Sequence, residues 1–229
     1  MNLAELTEKV SEIKRVGYIV SLRRGNTGIG YTLKSLLELR ENNLISPDRG
    51  AIAIKSQRNG VSNRGTMFIF NRGVWKLKQK CLIEKYGYVD TLGSPTLYCT
   101  VSKTPNYQGL YLKVSGDAVR LTHVDNTPIA LWSEEAVIET FEKKMPALVL
   151  IRADTRLNSD LKEEFWFNQA YVLSNSDAYV FLDLIRKGII VAELGMYVQE
   201  NGAVRNRGVR VRIEDRFLNL CFGSREKIV

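Results

Sequence analysis

Apolar residues at Leu3, Leu6, Val10 and Ile13 recur at helical spacing, and Gly17 follows them. A stripe of this period marks a helix with one buried face, and glycine is a common stop. A second helix is predicted over Leu33, Leu36, Leu37 and Leu39. It opens from a glycine-rich basic loop, Arg23-Arg24-Gly25-Asn26-Thr27-Gly28-Ile29-Gly30. The continuous apolar run Met67-Phe68-Ile69-Phe70 predicts a buried strand, and Asn71-Arg72-Gly73 predicts a turn after it. Residues 75–86 read as a helix carrying Lys76, Lys78, Lys80 and Lys85. Short strands are expected over 97–101, 110–114 and 119–124, with Gly, Asn and Pro between them. Ser133 is a good N-cap, and Glu134 and Glu135 complement the dipole of the helix behind it. That helix runs to about Lys144, where Met145-Pro146 stops it. A buried strand over 147–151 and a polar connection over 152–162 are expected next. A strand over 165–173 follows, then a helix over 176–187 that ends at Gly188. The chain closes with a strand over 189–197, a loop over 199–207, a strand over 208–213 and a short helix over 215–221. These elements predict a mixed α/β fold with strands running in both directions.

One stretch organises the chemistry: Pro47-Asp48-Arg49-Gly50-Ala51-Ile52-Ala53-Ile54-Lys55. It reads as a turn and a short strand. Strand alternation puts Ile52 and Ile54 on one face, and Ala51, Ala53 and Lys55 on the other. An acid on the turn, followed by position 53 and Lys55 side by side, is the layout of a metal-dependent phosphodiesterase site. Carboxylates in such a site hold Mg²⁺, and the lysine orients water or stabilises charge on the phosphate. The middle position of that layout calls for an acid, and here it is Ala53.

Composition narrows the partners. The 229 residues suffice for one large domain or two coupled lobes, and their net charge is +8 with a pI near 9.4. A basic globular chain is a candidate polyanion binder. No apolar run approaches the ~18 residues of a membrane-spanning helix. The first fifteen residues carry acids and do not fit a signal peptide. Cys81, Cys99 and Cys221 lack metal-ligand spacing, and His123 is the single histidine, which argues against a zinc site. His123 is expected to be a packed or surface residue. A reduced, intracellular setting fits this cysteine usage.

The positions of the arginines sharpen the picture. Arg205, Arg207, Arg210 and Arg212 fall within eight residues, with Asn206 and Gly208 among them and no acid between them. Alternation places Arg210 and Arg212 on one strand face. Guanidinium groups on a hairpin can span phosphates or fork onto guanine O6 and N7. A solvated edge strand that blocks aggregation is the plainer alternative. The loop over 23–30 matches neither a dinucleotide fingerprint nor a P-loop, yet amides at a helix start can receive a phosphate. Arg58 and Arg64 flank a polar loop that also holds Asn59 and Asn63.

The chain resembles the MvaI/BcnI family of type II restriction endonucleases, built on the MutH-like version of the PD-(D/E)XK nuclease fold. The resemblance rests on residues 23–30, Thr32, Leu37, Asn43-Leu44, Pro47-Asp48 and Ile52-x-Ile54-Lys55. It resumes at Glu164-Phe165-x-Phe167, Ala170-Tyr171, Leu173, Asn206-Arg207-Gly208 and Arg212-Ile213. It implies a restriction-endonuclease-like mixed sheet flanked by helices, with two lobes forming a DNA cleft. It implies a single domain over residues 1–229. About residues 1–85 would carry the catalytic-type site, and about 160–229 the recognition elements. It implies a monomer that clasps double-stranded DNA and cuts it with Mg²⁺, with no membrane and no small-molecule cofactor. Asp48 matches the first metal carboxylate, and Lys55 the catalytic lysine. Arg205, Arg207, Arg210 and Arg212 match base-reading positions. Arg23, Arg24, Asn26, Thr27, Arg58, Arg64 and Asn206 complete the expected DNA contacts. A cytoplasmic location in a prokaryotic, archaeal or phage setting follows from the same resemblance.

The chain departs from the family at two catalytic positions. Ala53 stands where the family has glutamate, and Lys34 where it has a helix glutamate. One carboxylate binds Mg²⁺ weakly, and a lysine adds positive charge where the metal belongs. Glu38, one helical turn from Lys34, is a possible replacement acid. The expectation is sequence-specific duplex binding with the catalytic acids partly lost. The first alternative is an active Mg²⁺-dependent deoxyribonuclease with a rearranged or engineered-inactive site. A second is an RNA-binding or protein-interaction module on the same fold.

Overall fold

Asn2 starts the first helix. Its side chain accepts the Glu5 N–H at 2.9 Å, and the Glu5 carboxylate accepts the Asn2 N–H at 3.0 Å. This reciprocal box satisfies two donors that a helix start leaves open. The structure, a computed structural model, describes residues 2–39, 44–45, 52–60, 64–70 and 74–229. In chain order the elements begin with α1 (Leu3–Val16), β1 (Ile19–Val20), α2 (Gly28–Leu36), β2 (Leu44–Ile45) and β3 (Ile52–Arg58). There follow β4 (Arg64–Phe70), β5 (Val74–Trp75), α3 (Gln79–Tyr86), β6 (Tyr88–Val89), β7 (Pro95–Val101), β8 (Leu110–Ser115), β9 (Ala118–His123) and β10 (Pro128–Ser133). Next come α4 (Glu134–Lys144), β11 (Leu148–Leu157), β12 (Glu163–Ser176), α5 (Ala178–Lys187) and β13 (Ile190–Val198). The chain finishes with β14 (Val204–Asn206), β15 (Val209–Glu214), a 3₁₀ helix (Asp215–Cys221) and β16 (Phe222–Lys227).

Contacts divide the chain into two units. The first comprises Met1–Ser62, Lys144–Asp177 and Cys221–Val229, and the second Asn63–Lys143 and Ala178–Leu220. The first unit is built on a mixed sheet ordered β1-β12-β11-β3-β2, with β16 also paired to β12. β3 and β11 run parallel, pairing Ala53 with Leu148 and Lys55 with Leu150, while the other pairs are antiparallel. One sheet face carries Ile54, Val149, Ile151, Phe165 and Phe167. Leu6, Val10 and Ile13 of α1 and Ile29 and Leu33 of α2 pack onto it, with Leu37 just beyond α2. This is the buried stripe that the helical periodicity predicts.

The second unit holds two sheets. One is ordered β4-β15-β13-β7-β6 with β14 on β13, and the other β5-β10-β9-β8. An aromatic cluster fills its core: Phe141 stacks on Phe181 at 4.5 Å between centroids, and Phe68 lies 5.8 Å from Phe181.

Several elements differ from the sequence expectation, each for a tertiary reason. Residues 74–75 are a strand rather than the start of a helix, because they pair with Leu131 and Ala130 of β10. The helix therefore begins at Gln79. β11 continues to Leu157 through the expected polar connection, because Arg156 pairs with Glu164 across the ladder, Nε to carboxylate at 2.8 Å. β10 and β16 have no counterpart in the expected elements; both are made by strand pairing, β16 on the polar sequence FGSREK. β14 forms inside the expected loop by pairing with β13. Ile69, expected to be buried, is exposed. Leu39 lies beyond the end of α2. Asp48, the 47–50 turn, Asn43, Ala51, Asn63 and the 71–73 turn lie outside the described residues. His123 packs its ring against Tyr86 at 4.7 Å, with Nδ1 2.9 Å from the Asp125 carboxylate. The three cysteines are free, and burial pushes Cys99 up to about 11 and Cys221 up to about 12.

Leu33 joins α2 to the sheet and is 1% exposed. Leu33→Ala is expected to cost about 2–5 kcal/mol, as large-to-small changes in a packed core do. Urea unfolding should show a lower midpoint with an unchanged slope. A loss below about 0.5 kcal/mol would mean that α2 is not seated on the sheet.

Candidate functional site

In the first unit the site is assembled around Arg58 at the end of β3. Its Nε donates to Glu163 at 2.6 Å and its Nη2 to the other carboxylate oxygen at 2.9 Å. The same guanidinium donates to the backbone oxygens of Gly25 and Asn26 at 3.2 and 3.3 Å. Arg58 thus fastens the loop that opens α2 onto the sheet. The loop is tight. A Cβ on Gly28 would run into the Arg23 carbonyl and lie 2.7 Å from Ser21 Oγ. Gly25 has φ +82°, a conformation that side chains disfavour. Arg23 lies 4.0 Å above the Tyr31 ring. Arg23, Arg24, Asn26 and Thr27 are exposed. The Arg23 and Arg24 side chains have no hydrogen bond or ion pair among the described residues. Thr27 occupies the N-cap of α2 without a side-chain cap bond.

Held this way, α2 brings Lys34 near Lys55. Burial first, and the charge of Lys34 second, together lower Lys55 from its ordinary 10.5 to about 8. Ala53 lies on the same strand face as Lys55 and is 4% exposed. Glu38, the possible replacement acid, does not continue the helical face of Lys34. α2 ends at Leu36, Glu38 turns to φ 56°, and its carboxylate meets Lys9 of α1 at 3.1 Å. Asp48 lies outside the described residues, so the structure does not place it against this group.

A divalent cation needs oxygen donors around it. The described part of the site offers a methyl group at position 53 and two ammonium groups, one depressing the ionisation of the other. Those residues do not fit Mg²⁺. Among the described residues no three His, Cys, Asp or Glu side chains gather at a metal-binding spacing.

In the second unit the arginine hairpin is sorted by one acid. Glu193 on β13 faces Arg210 on β15 in register. Its carboxylate takes Arg210 Nη1 at 2.5 Å and also Arg212 Nη1. Burial alone would raise Glu193, but the hydrogen bonds and charges of the two arginines hold it below its usual range. Arg212 also donates through Nε to the Arg64 carbonyl at 3.1 Å, and Arg64 lies 3.7 Å from Glu214. The Asn206 side chain accepts the Gly208 N–H at 2.8 Å and shapes the turn. Arg205 and Arg207 are exposed, and their side chains make no hydrogen bond or ion pair among the described residues.

The model of the MvaI/BcnI restriction endonuclease family matches residues 7–222. The chain belongs to this family. Two solved structures are similar to it. One is a complex of restriction endonuclease MvaI with its cognate DNA, 23% identical, with a TM-score of 0.82, covering 99% of this chain and 98% of the other. The second is restriction endonuclease MvaI without DNA, also 23% identical, with a TM-score of 0.56, covering 99% and 97%. They show a restriction-endonuclease-like fold. No curated protein matches by sequence. Among the described residues no helix is long and apolar enough to cross a membrane.

Against this MvaI/BcnI background, four of the expected arginine contacts are already engaged within their own unit: Arg58, Arg64, Arg210 and Arg212. The acids that hold them, Glu163, Glu214 and Glu193, escaped the sequence reading. Glu193 lies 17 residues before Arg210, so no local charge pattern reveals the pair.

Replacing Lys34 by Met removes a like charge near Lys55, so the Lys55 pKa should rise from about 8 towards 10.5. NMR titration of lysine side-chain signals reads this directly. In the parent, the folded state releases the Lys55 proton before the unfolded state does. Stability should therefore rise with pH between about 8 and 10.5, and Lys34→Met should flatten that rise. An unmoved Lys55 signal would separate the two lysines.

Proposed function

We propose that this chain is a sequence-specific double-stranded DNA-binding protein of the restriction-endonuclease family that binds without cutting. The observation that carries the reading is Lys34 within electrostatic reach of Lys55, with lysine at 34 and alanine at 53 where the resemblance calls for metal-holding glutamates. A phosphate brought there meets ammonium groups, which attract it. An ammonium ion does not lower the pKa of a bound water as a divalent metal does. Binding is thereby separated from water activation. The open guanidinium groups of Arg23, Arg24, Arg205 and Arg207 support contact with a polyanion, and family membership supports duplex DNA as that polyanion. The chain acts as a monomer in this reading.

Family membership also favours a second reading, Mg²⁺-dependent cleavage of duplex DNA with Asp48 as metal ligand and Lys55 as catalytic lysine. Glu38 is a weaker candidate there, since its carboxylate is engaged by Lys9.

A selection on random duplexes, paired with a digest of mixed-sequence DNA in Mg²⁺ and Mn²⁺, separates the two. The expected result is tight, salt-dependent binding without metal and no nicking. Efficient Mg²⁺-dependent cutting that is lost on Asp48→Ala would establish the second reading instead. Within the first, Arg23→Ala and Arg24→Ala should weaken all duplexes alike and reduce the salt slope by roughly one unit per lost phosphate contact. An unchanged slope would place that loop away from DNA.

A further inference from the structure

Arg207 is the one arginine of the hairpin whose guanidinium lies near two aromatic rings. Its guanidinium carbon lies 5.7 Å from the centroid of Tyr98 and 5.8 Å from that of Tyr197. Strand register puts the rings there. Glu193, Gly195 and Tyr197 follow one another at two-residue spacing on β13, so they share a face. Tyr98 on β7 pairs with Gly195, and Tyr197 pairs with Arg205 on β14. Gly195 leaves the room this needs. A Cβ there would stand 2.9 Å from Tyr98 Cε1 and 3.5 Å from Arg210 Nη1.

The backbone is pinned on both sides of the side chain. The Arg207 N–H donates to the Gly195 carbonyl at 2.9 Å, and Asn206 Oδ1 accepts the Gly208 N–H at 2.8 Å. Arg210 and Arg212 beside it share the carboxylate of Glu193. Two flanking rings restrict the rotamers of a long side chain while leaving the N–H donors at the guanidinium edge open. A planar fork of that kind fits a ligand edge with two acceptors. On duplex DNA that edge is guanine, through O6 and N7 in the major groove.

We infer that Tyr98 and Tyr197 are positioning residues for sequence recognition. They hold Arg207 as a reader of one guanine, whereas Arg210 and Arg212 serve to brace the hairpin through Glu193. The inference rests on the duplex-binding reading above and adds which base is read and what aims the reader.

The test uses the full chain and the duplex that emerges from random selection. Each guanine of that site is replaced in turn by 7-deazaguanine, which lacks the N7 acceptor. The parent should lose roughly 5- to 150-fold in affinity at one guanine, the range of a good bidentate contact. Arg207→Ala should lose a similar factor on the natural site and become indifferent to that replacement. Tyr98→Leu with Tyr197→Leu should blunt the response to 7-deazaguanine. Tyr98→Phe with Tyr197→Phe should preserve it, because the rings remain. Thermal unfolding of each variant identifies any that fail to fold, and the Arg207→Ala and phenylalanine arms carry the test if the leucine variant does.

Three outcomes overturn the inference. The parent could be insensitive to 7-deazaguanine at every position. The phenylalanine variant could lose as much as Arg207→Ala. Arg207→Ala could weaken all duplexes equally with a salt slope reduced by about one, which makes Arg207 a phosphate contact. A selection that yields no preferred duplex refutes the duplex-binding reading itself, and this inference with it.

Discussion

The first unit depends on what Arg58 does with its donors. Four hydrogen bonds from one planar fork reach both oxygens of Glu163 and the carbonyls of Gly25 and Asn26. That single side chain joins the end of β3, the start of β12 and the loop entering α2. The pair is largely shielded, so each partner satisfies charge the other leaves. Everything downstream follows from the seat it gives α2. Leu33 and Leu37 reach the sheet, and Lys34 comes within electrostatic reach of Lys55. Arg58, named among the expected DNA contacts, thus fastens the loop that opens α2.

Charge in this chain is allocated more narrowly than a net +8 suggests. Glu163, Glu193 and Glu214 each claim guanidinium groups inside their own unit. Of the expected arginine contacts, Arg23 and Arg24 on the glycine-rich loop and Arg205 and Arg207 on the hairpin make no hydrogen bond or ion pair among the described residues. Two of these, Arg23 and Arg207, rest against tyrosine rings. A ring face holds a guanidinium by weak attraction without consuming its hydrogen bonds. Acids therefore occupy the hydrogen-bond donors of an arginine, and aromatic rings leave them open.

At position 53 the balance tips the other way. A carboxylate there would attract a divalent cation. Alanine offers no such charge; burial first, and then repulsion from Lys34, holds Lys55 at about 8. The fold is that of a nuclease family, while the described residues around β3 offer alanine at 53 and lysine at 55. Fold and site chemistry are separate inheritances, so the family fold does not by itself fix what the site does.

Much of the secondary structure was legible in the sequence because it depends on neighbours within a few residues. The Leu6, Val10 and Ile13 stripe, the stop at Gly17, the alternating arginines of β15 and the loss of an acid at Ala53 are all local facts. The family resemblance was legible too, since its motifs are short runs. What tertiary structure decided are the partnerships between distant residues. Val74 and Trp75 became a strand because β10 supplied their hydrogen bonds. Glu38 left the helix and met Lys9. Glu193 took two arginines 17 and 19 residues on. Tyr98 reached Arg207 across more than a hundred residues by strand pairing. Local periodicity reports which side of an element is buried. It does not report which strand lies alongside, and that adjacency determines which arginines are held and which stay open.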